Sequence, residues 1–172
     1  MSTEKRSRRT EAEILADLQS QLESAKLRAA QESAKDNPVL ESVMEALKSA
    51  TSDITKARKK FAPSNVSNFD RRIQSHQIWI DEIRADELMC NAELELELIR
   101  KDFYQDTLTE AANMLSSEDY SDSDVQAYID SREVLFVEEN SYMIDAVNTL
   151  SANYDAAHEA RREFIDNKKN NK

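Results

Sequence analysis

Glycine is absent from this 172-residue chain, and proline occurs only twice. Without glycine, no residue enters left-handed backbone conformations free of steric penalty, so tight hairpins and phosphate-cradling loops are excluded. Walker-type and dinucleotide-binding fingerprints need glycine and are excluded with them. Cys90 is the single cysteine, so no disulfide can form within the chain, which fits a reducing compartment. Long apolar runs are missing too. Val134-Leu135-Phe136-Val137 is among the longest and is far too short to span a membrane. The N-terminus is polar and basic, with no apolar stretch of the kind a secretory signal needs. The expected setting is cytoplasmic or within a viral particle, neither secreted nor transmembrane.

What is present is charge. Asp, Glu, Lys and Arg make up 33% of the residues and the net charge is −11. The first nine residues carry four basic groups and one acidic, and the last seven carry three and one, so the body between them is more acidic than the total. Such a body repels phosphate backbones and anionic lipid surfaces. Nucleic acid contact is therefore expected only through the arm at residues 1–9, by Lys5, Arg6, Arg8 and Arg9, and membrane contact is not expected.

The remaining pattern is helical throughout, and the predicted class is all-α. From 68 to 116 apolar residues recur at spacings of three and four, from Phe69 and Ile73 through Leu96, Ile99 and Phe103 to Leu115. Unbroken, that helix is about 70 Å long. Glu93 to Leu98 alternates with period two, but Glu and Leu favour helix and no turn residue bounds a strand there. The five-residue step from Ile83 to Leu88 predicts a local irregularity near residues 84–87.

Before this rod, Thr10 and Glu13 form a capping-box pattern that opens a helix over about 11–35, with a seam of Leu15, Leu18, Leu22, Ala25 and Ala29. Asn37-Pro38 stops it and starts a second helix over about 38–61, with Leu40, Val43, Leu47, Ala50, Ile54, Ala57 and Phe61 in heptad spacing. Lys56, Arg58, Lys59 and Lys60 suit the negative end of its dipole. Residues 62–67 read as a loop. After a polar turn, Asp122 or Ser123 is expected to cap a final helix over about 123–166 whose apolar positions form two rows. One row runs through Val125, Ile129, Phe136 and Met143, the other through Tyr128, Leu135 and Tyr142.

The two long segments predict an antiparallel hairpin in which facing residue numbers add to about 239, pairing Phe103 with Phe136 and Leu96 with Met143. The two shorter helices would lie against it. The domain organisation expected is a basic arm (1–9), one elongated helical bundle (10–166) and a polar tail (167–172).

Catalytic constellations are wanting. A di-iron bundle needs Glu-x-x-His on two helices, whereas His76 and His158 follow Ile73 and Asp155 at that spacing. Cys90 sits mid-helix with no basic cluster to lower its pKa. No enzyme activity, cofactor, metal or small-molecule substrate is expected.

The expected function is that of a scaffold, adaptor or structural component of an assembly, through a protein partner or self-association. Tyr128, Leu135, Tyr142 and Trp79 are the candidate partner-binding residues, because the second row needs cover and tryptophan is a common interface anchor. In composition the chain is similar to scaffolding and accessory proteins of phage particles. The alternatives are an acidic mimic of nucleic acid, presenting Asp81, Glu82, Asp86, Glu87, Glu93 and Glu97, or a nucleic-acid-associated factor using the basic arm.

Overall fold

The computed structural model describes residues 10–60 and 77–170. The basic arm, the 62–67 loop, Phe61, the expected helix start at 68–76 with His76, and the last two residues lie outside this set. Five α-helices occur among the described residues: α1 (Glu11–Asp36), α2 (Glu41–Lys60), α3 (Gln77–Leu115), α4 (Asp122–Glu139) and α5 (Ser141–Asn170), with a single 3₁₀ turn at Pro38–Leu40. No strand is present among them, and Glu93 to Leu98 is continuous helix. None of these helices is long and apolar enough to cross a membrane.

Local chemistry sets most of the boundaries. Glu13 donates its backbone N–H to Thr10 Oγ1 at 3.3 Å while Thr10 N–H donates to Glu13 Oε2 at 2.7 Å, the reciprocal pair that starts α1. Asn37 Oδ1 accepts from Val39 N–H at 2.9 Å, and Pro38 fits the first position of the 3₁₀ turn because its missing N–H has no partner to lose there. The cap of α4 is Ser121, not Asp122 or Ser123. Asp124 N–H donates to Ser121 Oγ, and Ser121 N–H returns to Asp124 Oδ2 at 2.9 Å. Only Ser121 has an acidic residue three positions on to complete the box.

Helix α3 is the element on which the others are assembled. It is 39 residues long, about 58 Å at the usual rise, and every other helix packs against it, most extensively α2 and α5. The main core lies where α1, the 3₁₀ turn, α2, α3 and α4 converge. Ala30 and Ala34 meet Leu40, Val43 and Leu47, with Leu108, Ala111, Ala112, Val125 and Ile129 closing the cluster. The alanines let α1 approach closely. Further along, Ala50, Ile54 and Ala57 of α2 are buried, as are Met89, Cys90 and Leu96 of α3.

Phe103 meets Phe136 edge-on with ring centroids 4.9 Å apart, and Tyr104 adds a third ring 6.4 Å from Phe136. Arg132 stacks over Phe103 at 4.3 Å and Arg100 over Phe136 at 5.9 Å, so a cation covers each ring. Farther along, His158 of α5 reaches Glu82 of α3.

Three expectations need correction. The final helix is not continuous, because Asn140 (φ −108°, ψ 12°) separates α4 from α5. Its side-chain amide donates to Phe136 O at 2.9 Å, to which its own N–H also donates at 3.1 Å. The backbone bond is the regular helical one; the side-chain bond crowds the same carbonyl and competes with regular helix, a break that needs neither proline nor glycine. The helix also runs on to Asn170, so most of the expected polar tail is helical. Finally, α3 passes through residues 84–87 without interruption. The seam shifts instead, leaving Leu88 57% exposed while Met89 and Cys90 take the buried positions.

Candidate interaction surface

The first turns of α1 are laid down by their cap and by good helix formers, yet none of their side chains is buried. Every residue from Glu11 to Lys26 is exposed, and burial begins only at Leu27. Ile14, Leu15, Leu18 and Leu22 are 47–59% exposed. The expected seam of Leu15, Leu18, Leu22, Ala25 and Ala29 is therefore not an internal one. The residues that attach α1 to the bundle are Leu27, Ala30 and Ala34. At roughly 100° per residue the two sets are centred about 130° apart around the helix. Thus α1 carries two apolar faces, one docked on the bundle and one directed away from it.

Other exposed apolar side chains are Val134 and Val137 of α4, among the exposed Glu133, Glu138 and Glu139, and Tyr142 at the start of α5. The expected row of Tyr128, Leu135 and Tyr142 is divided. Tyr128 is half-buried against the main core, and burial raises its phenol pKa. Leu135 is half-buried, and Tyr142 is 85% exposed. Residues seven apart drift by about 20° per heptad, and the break at Asn140 rephases the residues beyond it, so the three do not form one face. Helix α5 has no fully buried residue among those whose side chains are described. Met143, Val147, Leu150, Tyr154 and Ala157 are all half-buried, and the packing of α5 is mainly against α3.

Trp79 is half-buried near the far end of this pairing. The Arg161 guanidinium lies 5.4 Å from the centre of its ring, Arg161 pairs with Glu82, and Glu82 Oε1 lies 2.7 Å from His158 Nδ1. Tyr154 stacks on His158 at 6.0 Å. These contacts make a cross-helix ion-pair cluster between α3 and α5, with Arg161 over one face of the half-buried Trp79 ring.

The acidic row on α3 is not one surface either. Glu82 is engaged by Arg161, and Glu97 is held by Arg100 at 3.0 Å. Burial raises the Glu97 pKa, with Asp53 and Glu93 adding to the effect and Arg100 opposing it. Cys90 is buried and donates to Asp86 Oδ1 at 3.5 Å. Among the described residues, no group of three or more His, Cys, Asp or Glu is placed to hold a metal ion. Lys5, Arg6, Arg8 and Arg9 lie outside the described residues.

Sequence reasoning identified the α1 stripe but not its exposure. It saw Val134 and Val137 only as part of an apolar run. Periodicity reports that a helix has an apolar face, and nothing in it specifies whether the same chain supplies the cover. The chain matches no family model, no curated protein and no solved structure.

Proposed function

We propose that this protein is a non-enzymatic helical interaction protein, a scaffold, adaptor or structural component whose product is an assembly. The observation that carries this reading is the outward face of α1, where Ile14, Leu15, Leu18 and Leu22 stand exposed at helical spacing. Contiguous exposed apolar surface of this kind marks association sites. A helix of some sixteen residues with no buried side chain is also marginal by itself, so a partner would supply the stability that the bundle does not. The setting that suits such an assembly is the cytoplasm or a viral particle, given the compositional likeness to phage scaffolding and accessory proteins. Contact with nucleic acid is restricted to the basic arm.

The test is affinity capture from the native source, comparing full-length wild type with Leu18→Glu/Leu22→Glu. Thermal unfolding of both verifies that the bundle is intact. Association with any protein, including a second copy, that disappears in the variant supports the reading. Association that ignores the substitutions, or none of any kind, refutes it.

A further inference from the structure

The interaction reading above leaves the partner open, and the residues of α1 narrow it. We infer that the outward face of α1 pairs with the same face of a second copy of this chain, the two helices antiparallel and centred near Ser20. This inference rests on the interaction reading and deepens it.

Spacing is the first argument. Leu15, Leu18, Leu22, Ala25 and Ala29 advance by 3, 4, 3 and 4, which is the a/d pattern of a two-helix seam. In an antiparallel pair, an a residue packs against a d residue. Residues whose numbers add to about 40 then face one another across the seam. Leu18 meets the partner's Leu22 twice, and Leu15 meets the partner's Ala25 twice. Large residues thus oppose small ones at both ends while leucines fill the centre. The surface is complementary to itself under a two-fold axis, as a closed dimer requires.

Charge decides the direction. Glu11 lies on the stripe at its N-terminal end, and Lys26 and Arg28 flank the stripe near its other end; all three are exposed. Antiparallel pairing sets Glu11 within about a turn of the partner's Lys26 and Arg28. Parallel pairing would set Glu11 against Glu11 across the seam, which like charges oppose, and would leave Lys26 beside the partner's uncharged Gln21. Between the two ends the flanking residues are Gln19 and Gln21, which favour neither direction.

Geometry permits the arrangement without disturbing the fold. The stripe faces away from the bundle, so a second helix there displaces none of the contacts made by Leu27, Ala30 and Ala34. The exposed Ala25 and Ala29 lower the steric barrier to close approach, just as Ala30 and Ala34 do on the docked face. Pairing would bury the stretch of α1 that stands exposed among the described residues.

Sedimentation equilibrium on the full-length chain, from low micromolar to about 200 µM, reads the association. Wild type should dimerise, and Leu18→Asp/Leu22→Asp should weaken the dimer by about a hundredfold or more, with an unchanged unfolding midpoint for the bundle. Direction and register come from Leu15→Cys and Ala25→Cys, each made singly. Oxidation should link the two variants when they are mixed and should link neither with itself, since only the 15–25 pair falls within disulfide range. Cys90 is buried and does not compete. Self-links at 15 or at 25 would overturn the antiparallel register. A dimer insensitive to Leu18→Asp/Leu22→Asp would overturn the interface. A monomer at every concentration would overturn self-pairing while leaving the interaction reading intact if a different protein is held through Leu18 and Leu22. If none is held, both fall.

Discussion

Phe136 offers the most direct test of how the helices are joined. It is 4% exposed and touches Phe103, Tyr104 and Arg100, so truncation to alanine removes a ring that nothing nearby can replace. Loss of transfer free energy plus the resulting cavity is expected to cost about 3–5 kcal/mol. For a chain of this size each kcal/mol moves the midpoint by about 2–4 °C, so Phe136→Ala should lower Tm by about 6–20 °C. Phe103 is half-buried and its alanine variant should cost less. The informative quantity is the coupling between the two. An edge-on ring pair at 4.9 Å contributes roughly 0.5–1.5 kcal/mol beyond burial. The double variant should therefore be less destabilised than the sum of the singles by about that amount. Urea unfolding of wild type, both singles and the double gives the cycle. Additivity to within about 0.3 kcal/mol would mean that the rings do not touch, and the register of α3 against α4 would be wrong.

Three further outcomes are expected. Ser121→Ala should cost about 1 kcal/mol through the lost cap of α4, whereas Ser123→Ala should be nearly neutral; equal effects measured by thermal unfolding would place the cap elsewhere. Asn140→Ala removes the side-chain bond that competes with regular helix and substitutes the best helix former, so helicity by circular dichroism and Tm should hold or rise; a loss above about 1 kcal/mol would show that the break is structurally required. Glu97 has its pKa raised by burial, so the native state holds that proton more tightly than the unfolded chain does. Its contribution to stability therefore falls as pH rises from the ordinary Glu range through the raised value. Glu97→Gln should accordingly gain on wild type over that rise in urea unfolding, and a difference constant with pH would refute the assignment.

The helices and most of their ends were legible because they depend on neighbours in sequence. Thr10 with Glu13, and Asn37 with Pro38, are short-range chemistry that a reader of residues sees directly. The cap of α4 was harder, since Ser121, Asp122 and Ser123 are all capable and the choice turns on which has Asp124 at the third helical position. Asn140 gave no proline or glycine signal; its side chain breaks the helix by bonding to a carbonyl one turn back. The shift from Leu88 to Met89 and Cys90 reflects which neighbour α3 meets at that level, a tertiary fact. The same holds for α1. Its stripe was visible as spacing, but Leu27, Ala30 and Ala34 bind the bundle with a shorter and less conspicuous set. Of the candidate site residues, Tyr142 is exposed, Tyr128 packs against the core, Leu135 is half-buried, and Trp79 is half-buried with Arg161 over its ring.

The central position of α3 has a consequence for how the molecule opens. Helices α2 and α5 each run along α3 and make no comparable pairing with each other, so neither depends on the other for its place. α5 contributes no fully buried side chain among those described, so its separation from α3 would expose half-covered residues and spare the main core. Opening should then proceed in tiers that amide hydrogen exchange can rank. The bare end of α1 should exchange first and α5 next. The stretch of α3 near Thr107 to Ala112, enclosed by the main core, should exchange last.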